Sequence, residues 1–239
     1  VPPRLRLAKR AVGGWLSGEP ELRLLPQLCD REAISVDVGA NLGVYSWHLQ
    51  RFSRAVVAFE PQPEMAAFLK RALHRRAVVH QAALSDREVT LELRVPLDRG
   101  LSGNASVETS NTLDDVAHRA FNVDCHRLDD LGLDRVGFLK IDVEGHELAV
   151  LKGALATLKR DQPCLLIEIE DRHRPNAVAS TWAMLERLGY VGRFQHAGKL
   201  HDIRELLDPH GVAGGRVAEK RIYNFIFVPG ARADCLTQG

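Results

Sequence analysis

An apolar run, "ISVDVG", gives way at its end to a turn that contains Gly39, Ala40, Asn41 and Gly43. Glycines allow a tight turn and let a ligand approach bare backbone. Asp37 stands at the end of the run, just before the turn. A dinucleotide turn requires G-x-G-x-x-G, so that a pyrophosphate can sit on the following helix N-terminus. Here position 41 is Asn and position 44 is Val. The carboxylate of Asp37 would repel a pyrophosphate and suits a ligand with positive charge or amine donors. S-adenosylmethionine (SAM) has a sulfonium and an α-ammonium group. Glu60 closes a second apolar run, "AVVAFEP", where a carboxylate can accept both hydroxyls of a ribose. A glycine turn paired with an acidic strand end does not by itself separate SAM from NAD. Two further stretches hold proton-transfer chemistry: "KIDVEGHE", with Asp142, Glu144, His146 and Glu147, and "LLIEIED", with Glu168 and Glu170.

The elements that position these residues alternate. "AISVDVG", "AVVAFEP" and "AVVHQAAL" read as short buried strands, and "GVYSWHLQRF" and "PEMAAFLKRALHRR" as helices between them. Pro63 opens the second helix, with Met65, Ala66, Phe68, Leu69 and Leu73 on one face. Strands alternating with helices predict βαβ units and a parallel sheet. From about Ser85 to Val136 the rhythm changes. "EVTLELRV" alternates strictly, which predicts a half-exposed strand in antiparallel pairing, with "FNVDCHRLDDL" as its companion. The parallel rhythm resumes with strand "VGFLKIDVEG", a single helix "HELAVLKGALATLKRD", strand "PCLLIEIED", helix "STWAMLERLGY" and terminal strand "RIYNFIFVPG". The first 33 residues read as a leader with one or two short helices. Its cations Arg4, Arg6, Lys9 and Arg10 form a solvated face or a membrane-surface contact.

The chain has 239 residues and 45% hydrophobic residues, enough for one well-buried domain. Its 32 Lys and Arg against 31 Asp and Glu leave a formal net charge of +1, which gives no footprint for nucleic acid. Cys29, Cys125, Cys164 and Cys235 lack CxxC or Cys–His spacing, so reduced thiols and a cytoplasmic setting are expected. No signal peptide is visible, and no apolar stretch approaches the roughly 20 residues of a membrane helix.

"VDVGANLGVYS", "AFEPQP", "QAALSD", "NASV", "LKIDVEGHELAVLKGA" and "LLIEIED" occur in the order in which they stand in the FkbM family of SAM-dependent methyltransferases. The chain resembles that family strongly from Ile34 to Gly153 and onward to about Val228. The resemblance implies an α/β, class I SAM-methyltransferase (Rossmann-like) fold. Its sheet is seven-stranded and mostly parallel, with an antiparallel last strand, "RIYNFIFVP", plus a small β insertion. It implies a methyltransferase domain over residues 34–230, an insertion at about 85–136, and a tail from 231 to 239. It also implies an O-methyltransferase acting on a hydroxyl of a sugar, glycolipid or natural product. The partner is then a small-molecule or glycan acceptor, with the oligomeric state open. The setting is cytoplasmic, or peripheral to a membrane for a glycolipid acceptor. A non-catalytic SAM-fold protein, an N- or C-methyltransferase and an NAD-dependent oxidoreductase are the alternatives.

By the same resemblance, Asp37, Gly39, Ala40, Asn41 and Gly43 surround the methionine part of SAM, and Glu60 meets the ribose. Ser85 and Asp86 lie at the adenine, although Ser-Asp also favours turns. Methyl transfer to a hydroxyl needs an aligned oxygen and a route for its proton. Asp142 ends the fourth strand beside the SAM methyl. His146 is the expected base, since histidine titrates near neutrality. Glu147 suits helix capping and the helix dipole. Glu168 lies within an apolar run, so its carboxylate must be paired, protonated or bound to a cation. Asp142 and Glu168 together suit Mg²⁺ or another hard divalent ion. His173 is a further candidate near the acceptor. The segment from Gly100 to Asp115 is expected to form part of the acceptor-side wall.

Overall fold

The computed structural model describes residues 1–97, 105–107, 117–172, 174–207 and 222–236. Its strands in chain order are β1 (Ile34–Val38), β2 (Ala55–Phe59), β3 (Ala77–His80), β4 (Ala83–Leu84), β5 (Val89–Pro96) and β6 (His118–His126). They continue as β7 (Val136–Ile141), β8 (Cys164–Glu168), β9 (Tyr190–His196), β10 (Lys199–Asp202) and β11 (Asn224–Pro229). The helices are α1 (Pro3–Ser17), α2 (Leu25–Leu28), α3 (Val44–Phe52) and α4 (Pro63–Ala72). After them come α5 (Glu147–Gly153), α6 (Leu155–Asp161), α7 (Ala177–Arg187) and α8 (Arg204–Leu207).

The main sheet has eight strands in the order β10-β9-β11-β8-β7-β1-β2-β3. Neighbours from β3 to β8 are parallel, whereas β11 runs antiparallel to both β8 and β9. The antiparallel terminal strand is thus β11, as expected, inserted between β8 and β9. Strands buried on both faces alternate which core they fill. Leu165 and Ile167 pack into the core beneath α5, α6 and α7, and Leu166 packs with Leu25, Leu28 and Leu49 on the other side. A second sheet, β4-β6-β5, supplies the β insertion, with β5 and β6 antiparallel and Leu93 opposite Phe121.

Several features depart from the sequence reading. The stretch "AVVHQAAL", expected as one strand, is two: β3 pairs with β2 in the main sheet and β4 with β6 in the second sheet. β9 was not expected as a strand. The main sheet gains an eighth strand, β10, which forms a hairpin with β9. The helix expected over 146–161 is two helices, α5 and α6, broken at Ala154. The preceding Gly153 passes so close to the end of β4 that a Cβ there would sit 2.0 Å from the Ser85 carbonyl oxygen. α5 therefore packs directly against the end of β4.

Ahead of β1, α1 packs on α3 and α4. Leu7 and Ala11 are its fully buried positions. A 3-10 turn at Pro20–Leu24 and α2 then lead under the sheet.

Candidate functional site

The carboxyl ends of β1, β2, β4 and β7 open onto a cleft lined by Gly39, Asn41, Glu60, Leu84, Asp142 and His146. Its first wall is the turn after β1. There Gly39 (φ 76°), Asn41 (φ 46°) and Gly43 (φ 80°) adopt left-handed backbone. Gly39 has a second requirement: a Cβ there would lie 1.8 Å from the Asp142 carbonyl oxygen. Turn and β7 end are therefore in direct contact. The Gly39 and Ala40 N–H groups both donate to the Phe59 carbonyl at 3.0 Å, closing the turn onto β2.

Glu60 forms the second wall and is 2% exposed. Its Oε2 accepts the Asn41 N–H at 2.7 Å and its Oε1 the Gln62 N–H at 2.8 Å. Burial pushes its carboxyl up to about 7, against the pull of these two N–H groups. Asp37 is 1% exposed. Its Oδ2 accepts the Ser46 hydroxyl, while its buried Oδ1 has no hydrogen-bond partner among the described residues. Burial raises its carboxyl above the ordinary value, with Lys140 pulling the other way.

Lys140, which the sequence reading missed as a site residue, faces Asp37 across the β1–β7 register. It is 3% exposed, in a strand whose other residues are all apolar or glycine. Its Nζ donates to Asp142 Oδ2 at 2.9 Å and lies 4.7 Å from the centre of the Tyr45 ring. Burial disfavours the ammonium, but Asp142, Asp37, Glu19 and Glu168 outweigh it and raise its pKa. The Tyr45 hydroxyl donates to Glu19 from the leader. Tyr45 and Glu19 were also missed. A lysine inside a buried run was the available signal, because a buried cation must find counter-charge. Glu168 ends β8 beside this group. Burial first, and then Asp142, push its carboxyl up to about 8, opposed by Lys140.

Asp142 acts electrostatically on Glu168 and lines the cleft together with His146. The His146 ring Nε2 is 2.9 Å from the Ser85 hydroxyl, at the end of β4. His146 lines the cleft, and Glu168 is not among the cleft's lining residues. Asp86 is 3.4 Å from the same hydroxyl. Glu147 accepts the Gly145 N–H at 2.7 Å, a helix-start contact. Glu144 lies 3.9 Å from Arg172, which also pairs with Glu170. His173 lies outside the described residues. So does the acceptor-wall segment expected over 100–115, apart from Ala105, Ser106 and Val107. The Ser106 hydroxyl donates to the Glu144 carbonyl at 2.8 Å, and Ala105 and Val107 face the cleft.

The divalent ion expected between Asp142 and Glu168 is not supported. The charge beside them is the Lys140 ammonium, already on Asp142 Oδ2. Among the described residues no three His, Cys, Asp or Glu side chains gather around a common point. A hard divalent cation wants about six oxygens, and this donor set does not fit one. Cys29 and Cys125 are free thiols. No helix among the described residues is long and apolar enough to cross a membrane.

A family model described as "Methyltransferase FkbM domain" matches residues 37–191. The chain is 32% identical to "Methyltransferase sdnD" of Sordaria araneosa, over 49% of this chain and 59% of that protein. It is 28% identical to "Methyltransferase 1" of Beauveria bassiana (strain ARSEF 2860), over 51% of this chain and 58% of that one. The chain thus spans just under three fifths of the length of these curated relatives. Among solved structures, the methyltransferase FkbM from Methylobacillus flagellatus KT matches with a TM-score of 0.53 at 20% identity. That match covers 94% of this chain and 58% of that chain. The likeness speaks for the fold, which is that of class I SAM methyltransferases.

Proposed function

This chain belongs to the FkbM methyltransferase family, and from that premise we propose that it is a SAM-dependent O-methyltransferase. Its acceptor is a hydroxyl of a sugar, glycolipid or natural product. The observation that supports the reading most is the pair of buried carboxylates at the first two strand ends. The buried, unpartnered Oδ1 of Asp37 fits an ammonium donor, and the Glu60 carboxylate fits ribose hydroxyls. Gly39, Ala40, Asn41 and Gly43 would hold the methionine part, Ser85 and Asp86 the adenine, and Asp142 the region of the methyl group. When bound, SAM supplies a methyl group already activated on a sulfonium.

The chain's own task is to orient the acceptor hydroxyl and accept its proton. We assign the base role to Glu168, whose carboxyl is poised near neutrality. Asp142, fixed by Lys140, orients the acceptor beside it. His146 is the rival base, and its ring is engaged by Ser85. Labelled methyl transfer from SAM to glycans and lipid extracts tests the assignment. Glu168→Gln should keep S-adenosylhomocysteine affinity and lose about 10²–10⁴ in turnover. The wild-type rate should climb as pH rises toward 8, as the Glu168 carboxyl ionises. If His146→Ala loses that activity and Glu168→Gln does not, the base is the histidine. Transfer to amines alone would point to N-methylation. Absence of SAM binding would overturn the reading.

A further inference from the structure

Helix α1 has two faces of opposite character. Leu7 and Ala11 are fully buried against the domain. On the outer side Leu5 is 60% exposed, Val12 55% and Leu16 69%, with Val1 at 91% just ahead of the helix. These are four of the six large hydrophobic residues that stand exposed among the described residues. At 3.6 residues per turn, Leu5, Val12 and Leu16 fall within about 40° of one another, a single stripe. Arg4 and Lys9 flank that stripe, and Arg6 and Arg10 follow beyond Lys9; all four are exposed. The helix contains no Asp or Glu. In a chain of net charge +1, four cations without a carboxylate on one helix are a local excess. Glu19, the first acid after α1, is turned away onto Tyr45.

We infer that α1 docks the chain on the surface of an anionic lipid bilayer, apolar stripe inward and Arg4 and Lys9 at the headgroups. An apolar stripe bordered by cations is the pattern of interfacial helices, whose basic side chains extend to the polar layer. Charge complementarity selects this occupant. A second copy of the helix would bring four cations against four, and a nucleic acid would leave the stripe in water. The surface lies close to the cleft, because Leu7 packs beneath Gly43 of the cofactor turn. The docking itself does not depend on methyl transfer and is read without it.

Co-sedimentation of the chain with vesicles tests the inference. One set is phosphatidylcholine alone, and the other is phosphatidylcholine with phosphatidylglycerol. The chain should pellet with the anionic set and remain in solution with the neutral one, and added salt should release it. Arg4→Gln with Lys9→Gln should weaken binding by about 25-fold, roughly five-fold per charge at a lipid surface. Leu5→Ser with Leu16→Ser should abolish pelleting even at low salt, with unchanged thermal melting as the check on folding. Three outcomes would overturn the proposal. They are equal binding to both vesicle sets, binding to neither, and a dimer in sedimentation velocity that Leu16→Ser dissolves.

Discussion

Glu60 joins two turns with one carboxylate, since its two oxygens accept N–H groups from Asn41 and Gln62. Each oxygen keeps a lone pair for a ligand. Glu60→Gln replaces one acceptor with an NH₂ that faces a backbone donor. S-adenosylhomocysteine affinity should fall by about 1.5–3 kcal/mol, the scale of hydrogen bonds to a charged group. Calorimetry that finds wild-type affinity in this variant removes the ribose assignment. Lys140 is the other pivotal side chain. Lys140→Met keeps length and removes the cation that Asp142 and Asp37 face. Losing one partner of a buried ionic group costs about 3–5 kcal/mol, measured as a drop in urea stability. The deficit should shrink in acid, where the orphaned Asp37 carboxylate, already raised by burial, protonates. Asp37, Glu60, Asp142 and Glu168 were legible because each interrupts or ends an apolar run. The Glu19–Tyr45 contact was not, because it joins residues 26 positions apart through packing that no local pattern encodes.

At the level of elements, the strands β1, β2, β7, β8 and β11 were legible as apolar runs bounded by glycine, proline or charge. β9 was not. Its sequence "YVGRFQH" mixes polar and apolar residues, and its place in the sheet comes from pairing with β11. The break between α5 and α6 was hidden as well, because the apolar pattern stays helical across Ala154. The β9–β10 hairpin turns on Ala197 (φ 49°) and Gly198 (φ 77°). Two left-handed residues in a two-residue loop favour Asn-Gly, and alanine pays roughly 1 kcal/mol there. Ala197→Asn should therefore stabilise the chain by about 0.5–1 kcal/mol, seen as a higher melting temperature. An unchanged or lower value would mean that the hairpin opens before the domain does.

For the whole molecule, charge burial sets a pH dependence with a definite sign. Asp37, Glu60 and Glu168 are all raised chiefly by burial. The folded chain therefore holds protons that the unfolded chain has released. Stability from Glu60 and Glu168 is fully present below their unfolded value of 4.5 and is lost as pH rises through about 7 for Glu60 and about 8 for Glu168. Urea midpoints for the ligand-free chain should fall between pH 5.5 and 8. A bound ligand bearing an ammonium should narrow the difference, and a midpoint that rises over this interval would contradict the burial of these groups. β10 has a consequence of another kind. A sheet's outermost strand is a template onto which a neighbouring molecule can add its own strand. Here β10 forms that rim, with Lys199, His201 and Asp202 along only four residues. Behind it lies the seven-residue β9, with Val191 and Phe194. The rim is thus short and charged where the strand it covers is longer and more apolar, and crowded molecules meet a poor starting point for fibre growth.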